Sequence, residues 1–463
     1  MIHLDEHSMG PLCKVTSALA LASALALAGC GGGASSASSP SIMLLAANDG
    51  VSGFELWKTD GSAMGTVLVK DINPGGGHSS PGGSGLFPSE FAFFNGAWFF
   101  SADDGTGPKL WKSDGTQAGT ARVTAVVSSP REFTVLGNAL YFSADDGVNG
   151  RELWKTDGTE ARTVLVKDIA PGTVSIGGIQ VPRSSSPTGL TVFNNTLYFS
   201  ADDGMSGIEL WKSDGTALGT VQVKDINLSG DSFPSGFTVF NNELYFSADG
   251  GTGFELWKTN GTPGNAVLVK DINPTGDSGF TVFNNELYFS ADDGGTGFEL
   301  WKTNGTPGNA VLVKDINPTG DSSPSGFTVF NNALYFSADG VAGAELWKSD
   351  VAGTVRVGAV SLVSGLTVFN NALYFSASDG VAGVELWKTD VAGSPVQVKG
   401  INNTTLGAPN ALTVLNNALL FSADDGMTGR ELWRTDGTVG GTMQVKDICP
   451  GPCDGVPVLV ILP

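Results

Sequence analysis

Short runs of alternating apolar and polar residues, separated by turns rich in glycine and asparagine, recur along most of this chain. One complete copy is residues 237–278, which contains the β-type runs FTVF, ELYFSA, FELWKT and AVLVKDI. Between the runs lie NN, DGGTG and NGTPGN, and such sequences form turns because Asn, Asp and Gly tolerate positive φ. No apolar repeat of three or four residues is visible, so the pattern gives no support to helices. It predicts four short antiparallel strands per copy.

The copies number nine, and each carries one tryptophan. The mean spacing of these tryptophans is 47 residues, which is typical of an array with one structural unit per copy. Four antiparallel strands in a unit of this length describe a blade of a β-propeller. The tryptophans are Trp57, Trp111, Trp154, Trp211, Trp257, Trp301, Trp347, Trp387 and Trp433.

Both faces of each predicted blade are apolar. In the run ELYFSA, Leu244 and Phe246 point to one face while Tyr245 points to the other, and Trp257 adds a large apolar side chain in the next run. Only neighbouring blades can cover both faces. We therefore expect the nine tryptophans to be structural and buried between blades, where each removes about 150–250 Å² from water.

The two ends of the array predict ring closure. The first copy opens at SIMLLAANDG (41–50), which matches ELYFSADDG but has no FTVF run before it, and VPVLVILP (456–463) follows the last copy. We predict that residues 456–462 form the innermost strand of the first blade, which removes exposed strand edges. The predicted fold is an all-β propeller over 41–463 with nine blades. An eight-bladed ring with a leftover copy, or two smaller rings, stays open because propellers usually have about four to eight blades.

The N-terminus predicts export. Residues 15–28 are an apolar run too short to span a bilayer as a helix but suited to a signal peptide. The following LAGC, ending at Cys30, resembles the lipobox of bacterial lipoproteins. That resemblance implies a signal peptide over 1–29, cleavage before Cys30 and lipidation of Cys30. The alternative is an ordinary cleaved signal peptide with a chance cysteine.

The surroundings of this segment refine the prediction. Asp5 and Glu6 do not suit a positive leading region, so translation can start at Met1 or at Met9. Residues 30–40, rich in Gly and Ser, read as a flexible tether to the folded body. By the lipoprotein resemblance, Gly31 lacks the aspartate associated with inner-membrane retention, which favours the outer membrane or cell surface.

Cysteine usage agrees with an oxidising compartment. Cys449 and Cys453 flank a turn-forming PGP sequence, and we predict a disulfide between them. A metal site there is disfavoured because two thiols need further ligands.

The repeated phrase also identifies a similar family. The segments ELWKTDGT (152–159), ELWKSDGT (209–216) and ELWRTDGT (431–438) resemble those of the bacterial proteins that carry the ELWxxDGT repeat. The resemblance covers nearly all of 41–455. It implies a secreted or surface-attached propeller of undetermined biochemical role, and it carries over no catalytic residues. Two copies depart from the motif: KLWKSDGT lacks the Glu, and ELWKSDVAGT (345–354) lacks the Gly after Asp.

Acidic turns are the main candidate sites. They share one face of the predicted propeller with the two longest inserts, residues 73–90 and 170–189, so we expect any binding surface on that face. Calcium could bind the aspartates through oxygen ligands; alternatively the aspartates accept hydrogen bonds from their own turns, as we expect for Asp157. The candidate calcium ligands are Asp103, Asp104, Asp145, Asp146, Asp202, Asp203, Asp292, Asp293, Asp424 and Asp425.

The remaining polar residues give little support to catalysis. His78 is a lone histidine in a Gly/Ser/Pro loop, and the same Asp pair is copied around the ring rather than placed in distinct environments. Lys58, Lys155 and Arg434 follow the tryptophan in their copies, and we predict that they pair with Asp or Glu of a neighbouring blade.

These observations favour a monomeric, non-enzymatic binding or scaffold module for a protein or glycan ligand, attached to the membrane only through its lipid. The net charge of −21 argues against nucleic acid. The alternative is a carbohydrate-active enzyme that uses carboxylates at the propeller face.

Overall fold

The structure is all-β. The computed structural model describes residues 42–82, 91–274, 279–340, 343–381, 383–389, 393–402 and 407–456. One 3-10 turn, Glu160–Arg162, interrupts the strands, and none of the described residues forms a helix suited to crossing a membrane. We call the nine sequence copies units 1 to 9 in chain order.

The strands of the first four units follow the repeated runs. They are β1 (Met43–Asn48), β2 (Phe54–Thr59) and β3 (Val67–Lys70) in unit 1; β4 (Phe91–Phe94), β5 (Ala97–Asp103), β6 (Pro108–Ser113) and β7 (Ala121–Arg122) in unit 2; β8 (Ser128–Leu136), β9 (Ala139–Asp145), β10 (Arg151–Thr156) and β11 (Val164–Lys167) in unit 3; β12 (Thr173–Ile176) and β13 (Ile179–Pro182) between units 3 and 4; and β14 (Thr188–Phe193), β15 (Thr196–Asp202), β16 (Ile208–Ser213) and β17 (Val221–Lys224) in unit 4.

The later units repeat this order. Their strands are β18 (Ser235–Phe240), β19 (Glu243–Asp249), β20 (Phe254–Thr259) and β21 (Ala266–Lys270) in unit 5; β22 (Asn273–Pro274), β23 (Thr281–Phe283), β24 (Glu286–Asp292), β25 (Glu299–Thr303) and β26 (Ala310–Lys314) in unit 6; β27 (Ser325–Phe330), β28 (Ala333–Gly340), β29 (Gly343–Asp350) and β30 (Gly353–Phe369) in unit 7; β31 (Ala372–Ser378), β32 (Glu385–Thr389) and β33 (Pro395–Lys399) in unit 8; and β34 (Asn410–Leu415), β35 (Ala418–Asp424), β36 (Arg430–Thr435) and β37 (Met443–Lys446) in unit 9.

Each unit folds as a small antiparallel sheet in which consecutive strands pair. Units 2, 3, 4, 5 and 9 each form the predicted four-stranded sheet. Unit 6 differs in that its innermost strand consists of two pieces, β22 and β23, which both pair with β24. Unit 1 has three described strands. The strand predicted at 456–462 lies outside the described residues except for Val456.

Units 7 and 8 differ from the prediction of separate four-stranded sheets, because they share one seven-stranded sheet. The 17-residue strand β30 pairs with β29 of unit 7 and continues to pair with β31 of unit 8. Unit 7 has Val351 where other units have the glycine of the DGT turn. Its chain reverses in a tight turn between the paired residues Asp350 and Gly353.

The central strands are buried on both faces, as the alternation predicted. In β19, the side chains of Leu244, Tyr245 and Phe246 are all buried. Described residues form nine hydrophobic clusters, and each cluster joins two consecutive units. The nine tryptophans are 4–9% exposed and lie in these clusters.

The tryptophan of each unit packs against the preceding unit. Trp111 of unit 2 shares a cluster with Leu56, Val69 and Ile72 of unit 1. The last and first units make the same contact, since Trp57 shares a cluster with Leu432, Val445 and Ile448 of unit 9.

A lysine from the preceding unit covers several of these tryptophans. Lys70 Nζ lies 5.6 Å from the ring centre of Trp111 and donates a hydrogen bond of 2.8 Å to the carbonyl of Thr120. Lys446 of unit 9 does the same to Trp57 and Thr66 of unit 1. Each contact adds a cation–π attraction of about 0.5–2 kcal/mol to the apolar packing.

The prediction that the lysines after the tryptophans pair with carboxylates of a neighbouring unit is wrong. Lys58 donates instead to the carbonyl of Gly115, and Lys155 to that of Gly215, each in the DGT turn of the next unit. Arg434 of unit 9 donates likewise to Gly61 of unit 1. The turn brings its carbonyl closer to the cation than any carboxylate of that unit, and a carbonyl accepts a charged donor well.

Removing one inter-unit tryptophan should weaken the whole chain. We expect Trp301→Ala to lower the free energy of unfolding by about 3–5 kcal/mol, because it leaves a cavity against Leu256, Val269 and Ile272. Urea unfolding followed by circular dichroism measures the loss. Val381→Ala, at a position 86% exposed, is the control and should change it by less than about 0.5 kcal/mol. Equal effects of both variants would contradict the packing role.

Candidate functional site

The paired aspartates cap their own turns. Gly105 donates its amide to Asp103 at 2.8 Å, and Thr106 donates its hydroxyl to Asp104. The Thr106 hydroxyl, together with Arg122, holds the pKa of Asp104 below its usual value despite partial burial. Turn amides of the same kind are donated to Asp145, Asp146, Asp202, Asp203, Asp292, Asp293, Asp424 and Asp425.

This geometry supports a turn-forming role and gives the calcium hypothesis no support. Among the described residues, no group of three or more His, Cys, Asp or Glu side chains is placed to hold a metal ion. Asp157 accepts the amide and hydroxyl of Thr159, as expected for the DGT turn.

Two other candidates have structural contacts. His78 Nδ1 accepts the amide of Phe54 at 2.9 Å, and the two rings lie 5.2 Å apart. Cys449 and Cys453 form a disulfide with a Cα–Cα distance of 5.7 Å. Cys449 lies against the turn of unit 1, because a Cβ atom on Gly50 would be only 3.0 Å from its Sγ.

A cavity of about 550 Å³ lies between units 4 and 5, at the end of these units that carries the acidic turns. It combines hydroxyl groups, one carboxylate and two partly exposed phenylalanines, and part of its wall comes from the long insert before unit 4. A cavity of this size with apolar walls and a few polar groups is typical of small-ligand sites. Its lining residues are Ser184, Ser185, Ser186, Thr188, Ser200, Asp202, Ile208, Phe233, Pro234, Ser235 and Phe254.

Phe233 occupies a strained position at this cavity. Its φ is 47°, a left-handed conformation that is costly for a bulky side chain, yet the side chain is 46% exposed. The corresponding residues at other unit junctions are Ser80, Ser186 and Ser323, which have φ of 43–46° and donate the same backbone hydrogen bond. An exposed aromatic ring gains little from packing here. Strain of this kind is concentrated at ligand-binding positions.

Two buried glutamates support opposite walls of the cavity. Glu152 accepts the amide of Ser185 at 3.0 Å and its hydroxyl at 2.5 Å. Glu209 accepts the hydroxyl of Ser232, next to Phe233, at 2.7 Å. Burial raises the pKa of each glutamate to about 7, although the hydrogen bonds oppose this rise. The sequence prediction missed this role, for which the available signal was a carboxylate repeated within an apolar strand.

Units 5 and 6 show how sensitive this arrangement is. Their sequences over 237–278 and 280–322 differ by one inserted residue, Asp293. In unit 6, Glu299 accepts the hydroxyl of Ser322 at the next junction. In unit 5, which lacks that aspartate, Glu255 turns back to accept the amide of Gly250 and the hydroxyl of Thr252.

No protein family matches the sequence, and no curated protein sequence matches it. The chain is similar in structure to puromycin hydrolase, both in one crystal structure and in that of a mutant complexed with PGG, with a TM-score of 0.40 and 12% identity over 74% of this chain and 59% of that one. It is also similar to a prolyl endopeptidase, with a TM-score of 0.37 and 14% identity over 67% of this chain and 49% of that one. The chain thus spans less than two thirds of these proteins. Their activities do not transfer to it at this similarity.

The buried glutamates predict that stability falls as pH rises. Burial raises the pKa of Glu152, Glu209 and Glu431 to about 7, above the ordinary value of 4.5. The folded chain therefore holds protons that the unfolded chain releases, so their contribution is complete below pH 4.5 and is lost as pH rises through 7. We expect the melting temperature to decrease from pH 5 to pH 8.

Substitutions identify the groups responsible. The combined variant Glu152→Gln and Glu209→Gln should show a smaller decrease between these pH values, because glutamine does not titrate. Glu160→Gln, on the exposed 3-10 turn, is the control and should keep the full decrease. A melting temperature that rises over this range would contradict the assignment.

Proposed function

We propose that this chain is an exported lipoprotein, anchored at Cys30, whose nine units close into a β-propeller that binds a neutral glycan in the cavity between units 4 and 5. The observation that carries the binding proposal is Phe233, a strained and exposed aromatic residue beside hydroxyl groups. The ELWxxDGT resemblance agrees with a surface-attached propeller.

Ring closure is supported by the backbone at the last junction. At the junction of units 4 and 5, Phe233 donates its amide to the carbonyl of Ile208, and Asp249 donates to Ser232. At the end of the chain, Val456 donates to the carbonyl of Arg430, and Asn48 of unit 1 donates to Gly455. The chain thus leaves unit 9 towards unit 1 along the path that other junctions use. We infer that residues 457–463 form the innermost strand of unit 1.

The tether leaves the opposite end of the units from the cavity. β1 begins at Met43 and runs towards the acidic turn of unit 1, so its first residue lies at the end that carries the DGT turns. Ile42 lies against Gly115, in the DGT turn of unit 2. A lipid anchor before residue 42 would therefore leave the cavity directed away from the membrane.

The lining of the cavity favours a neutral saccharide. Phe233 and Phe254 can pack on the apolar face of a sugar ring, while the serine hydroxyls and Asp202 can bond its hydroxyl groups. The described lining contains no Lys, Arg or His to neutralise an acidic sugar, and the net charge of −21 repels one.

The same lining favours binding over hydrolysis. Glycosidic hydrolysis generally needs two carboxyl groups in different environments on either side of the bond. Asp202 is the only carboxylate among the described residues that line the cavity. The cavity therefore supports a binding module better than the carbohydrate-active enzyme that the sequence left open.

Glycan binding can be tested with the mature chain and defined oligosaccharides. Calorimetric titration should give saturable binding of a neutral oligosaccharide, such as one from a glucan, xylan or chitin series, and none of pectate or alginate fragments. Phe233→Ser, which restores the residue of the sister junctions, should raise Kd about tenfold or more without lowering the melting temperature.

The matched control is Phe298→Ser, at the position in unit 6 that corresponds to Phe254 in unit 5. It should leave Kd unchanged. Binding that survives Phe233→Ser, or tighter binding of acidic fragments, would remove the cavity as the glycan site, and cleavage of the oligosaccharide would favour the enzyme instead.

Ring closure predicts that the final strand can be relocated. Deleting 457–463 should lower the melting temperature by roughly 5 °C or more, because unit 1 loses its innermost strand. Placing the same seven residues directly before Met43, through an NN turn like those of the other units, should restore it. Equal destabilisation by deletion and relocation would show that the strand does not belong to unit 1.

A further inference from the structure

A β-hairpin projects from the chain between units 3 and 4. It consists of β12 and β13 joined by Gly177 and Gly178, and all ten residues from 171 to 180 are exposed. Both glycines have positive φ, at 58° and 83°, as a two-residue hairpin turn requires. The hairpin replaces a junction that elsewhere consists of a short loop, so it is specific to this position in the repeat.

One face of the hairpin is entirely apolar. Val174 pairs with Val181, and Ile176 pairs with Ile179, so the four side chains lie on the same face. The other face carries Thr173, Ser175 and Gln180, with a hydrogen bond of 2.8 Å from the Thr173 hydroxyl to the Gln180 side chain.

This apolar face is turned to solvent. Ile176 and Ile179 are 63% and 68% exposed, which is unusual for a pair of isoleucines at a turn. An isolated two-stranded hairpin is only marginally stable in water, so its apolar residues would be expected to pack on the body if they served the fold alone. Their exposure indicates a contact made outside this chain.

The strand edges of the hairpin are also available. The sheet contains only β12 and β13 among the described residues, so each strand has an outer edge with unpaired backbone groups. Proteins usually protect such edges with charged residues or proline, but residues 170–181 contain no charged side chain and proline only at 171. An unprotected edge beside an apolar face is the surface to which a further strand adds.

The charge and size of the surface decide the occupant. A second copy would bring another net charge of −21, and four aliphatic side chains cover on the order of 400 Å², well below the about 1,200–2,000 Å² that a stable protein interface buries. An anionic membrane is repelled by the same charge. An extended peptide avoids both difficulties, because backbone hydrogen bonds along the edge supplement the small apolar area.

We propose that the β12–β13 hairpin is a docking arm that captures an extended segment of a partner protein, with apolar residues at alternate positions, by adding it as a third strand. The segment's backbone pairs with a free hairpin edge, and its apolar side chains extend the face formed by Val174, Ile176, Ile179 and Val181. This surface is separate from the glycan cavity and does not depend on it.

A synthetic strand tests the proposal. The probe is a ten-residue peptide of alternating threonine and valine with lysine at both ends, labelled for fluorescence anisotropy and titrated with the mature chain. The matched control peptide has two of the valines replaced by proline, which keeps the charge but removes backbone donors. We expect saturable binding of the probe and at least tenfold weaker binding of the control peptide.

Substitutions in the protein locate the contact. Ile176→Thr with Ile179→Thr keeps β-branched residues in the hairpin and should raise Kd for the probe at least tenfold, with an unchanged melting temperature. Val381→Thr with Met427→Thr, at other highly exposed positions, should leave Kd unchanged.

The opposite results overturn the proposal. Equal binding of both peptides, or equal Kd in the hairpin variant and the unaltered chain, would show that no strand is added there. Sedimentation that reveals a dimer dependent on Ile176 and Ile179, or flotation with phosphatidylcholine–phosphatidylglycerol vesicles that depends on them, would assign the arm to a second copy or to a membrane instead.

Discussion

The packing of each tryptophan against the preceding unit is the interaction on which the rest of the structure depends. A single four-stranded sheet has apolar residues on both faces and cannot bury them alone. The contact of Trp111 with Leu56, Val69 and Ile72 is repeated at unit after unit, including between unit 9 and unit 1. Because the contact is the same at each junction, stability is shared along the array rather than concentrated in one core.

Polar groups fix the spacing of these junctions. Lysines clasp the next unit through carbonyl groups of its turns, and buried glutamates hold the chain as it passes from one unit to the next. The glutamates are costly because they are carboxylates in apolar surroundings, and their raised pKa expresses that cost. At Glu152 and Glu209 the same groups also shape the cavity, so the fold and the proposed site share their supports.

The proposed functions reside where the repetition fails. Ser80, Ser186 and Ser323 occupy the junction position that Phe233 takes next to the cavity, and only the junction before unit 4 carries the β12–β13 hairpin within the described chain. A repeated residue is explained by the packing that every unit needs. A residue that departs from the repeat at an energetic disadvantage needs another explanation, and a ligand provides one.

Much of the fold could be predicted from the sequence, because period-two alternation and turn residues are local properties. They correctly placed the strands of most units, the two buried faces of β19 and the turn bonds of Asp157. The lysine partners were wrong and the cavity was missed, since both are formed by residues about 50 positions apart whose distance depends on how units pack.

Units 5 and 6 separate the two kinds of information most clearly. Their nearly identical sequences determine the same strands and the same tryptophan contacts, because those depend on which residues alternate. The direction of Glu255 and Glu299 depends on whether the turn above leaves room for a carboxylate, which Asp293 alone changes. The sequence by itself determined the repeating unit and its two apolar faces; only the tertiary structure decided where each buried charge, the cavity and the free hairpin lie, because these follow from contacts between units.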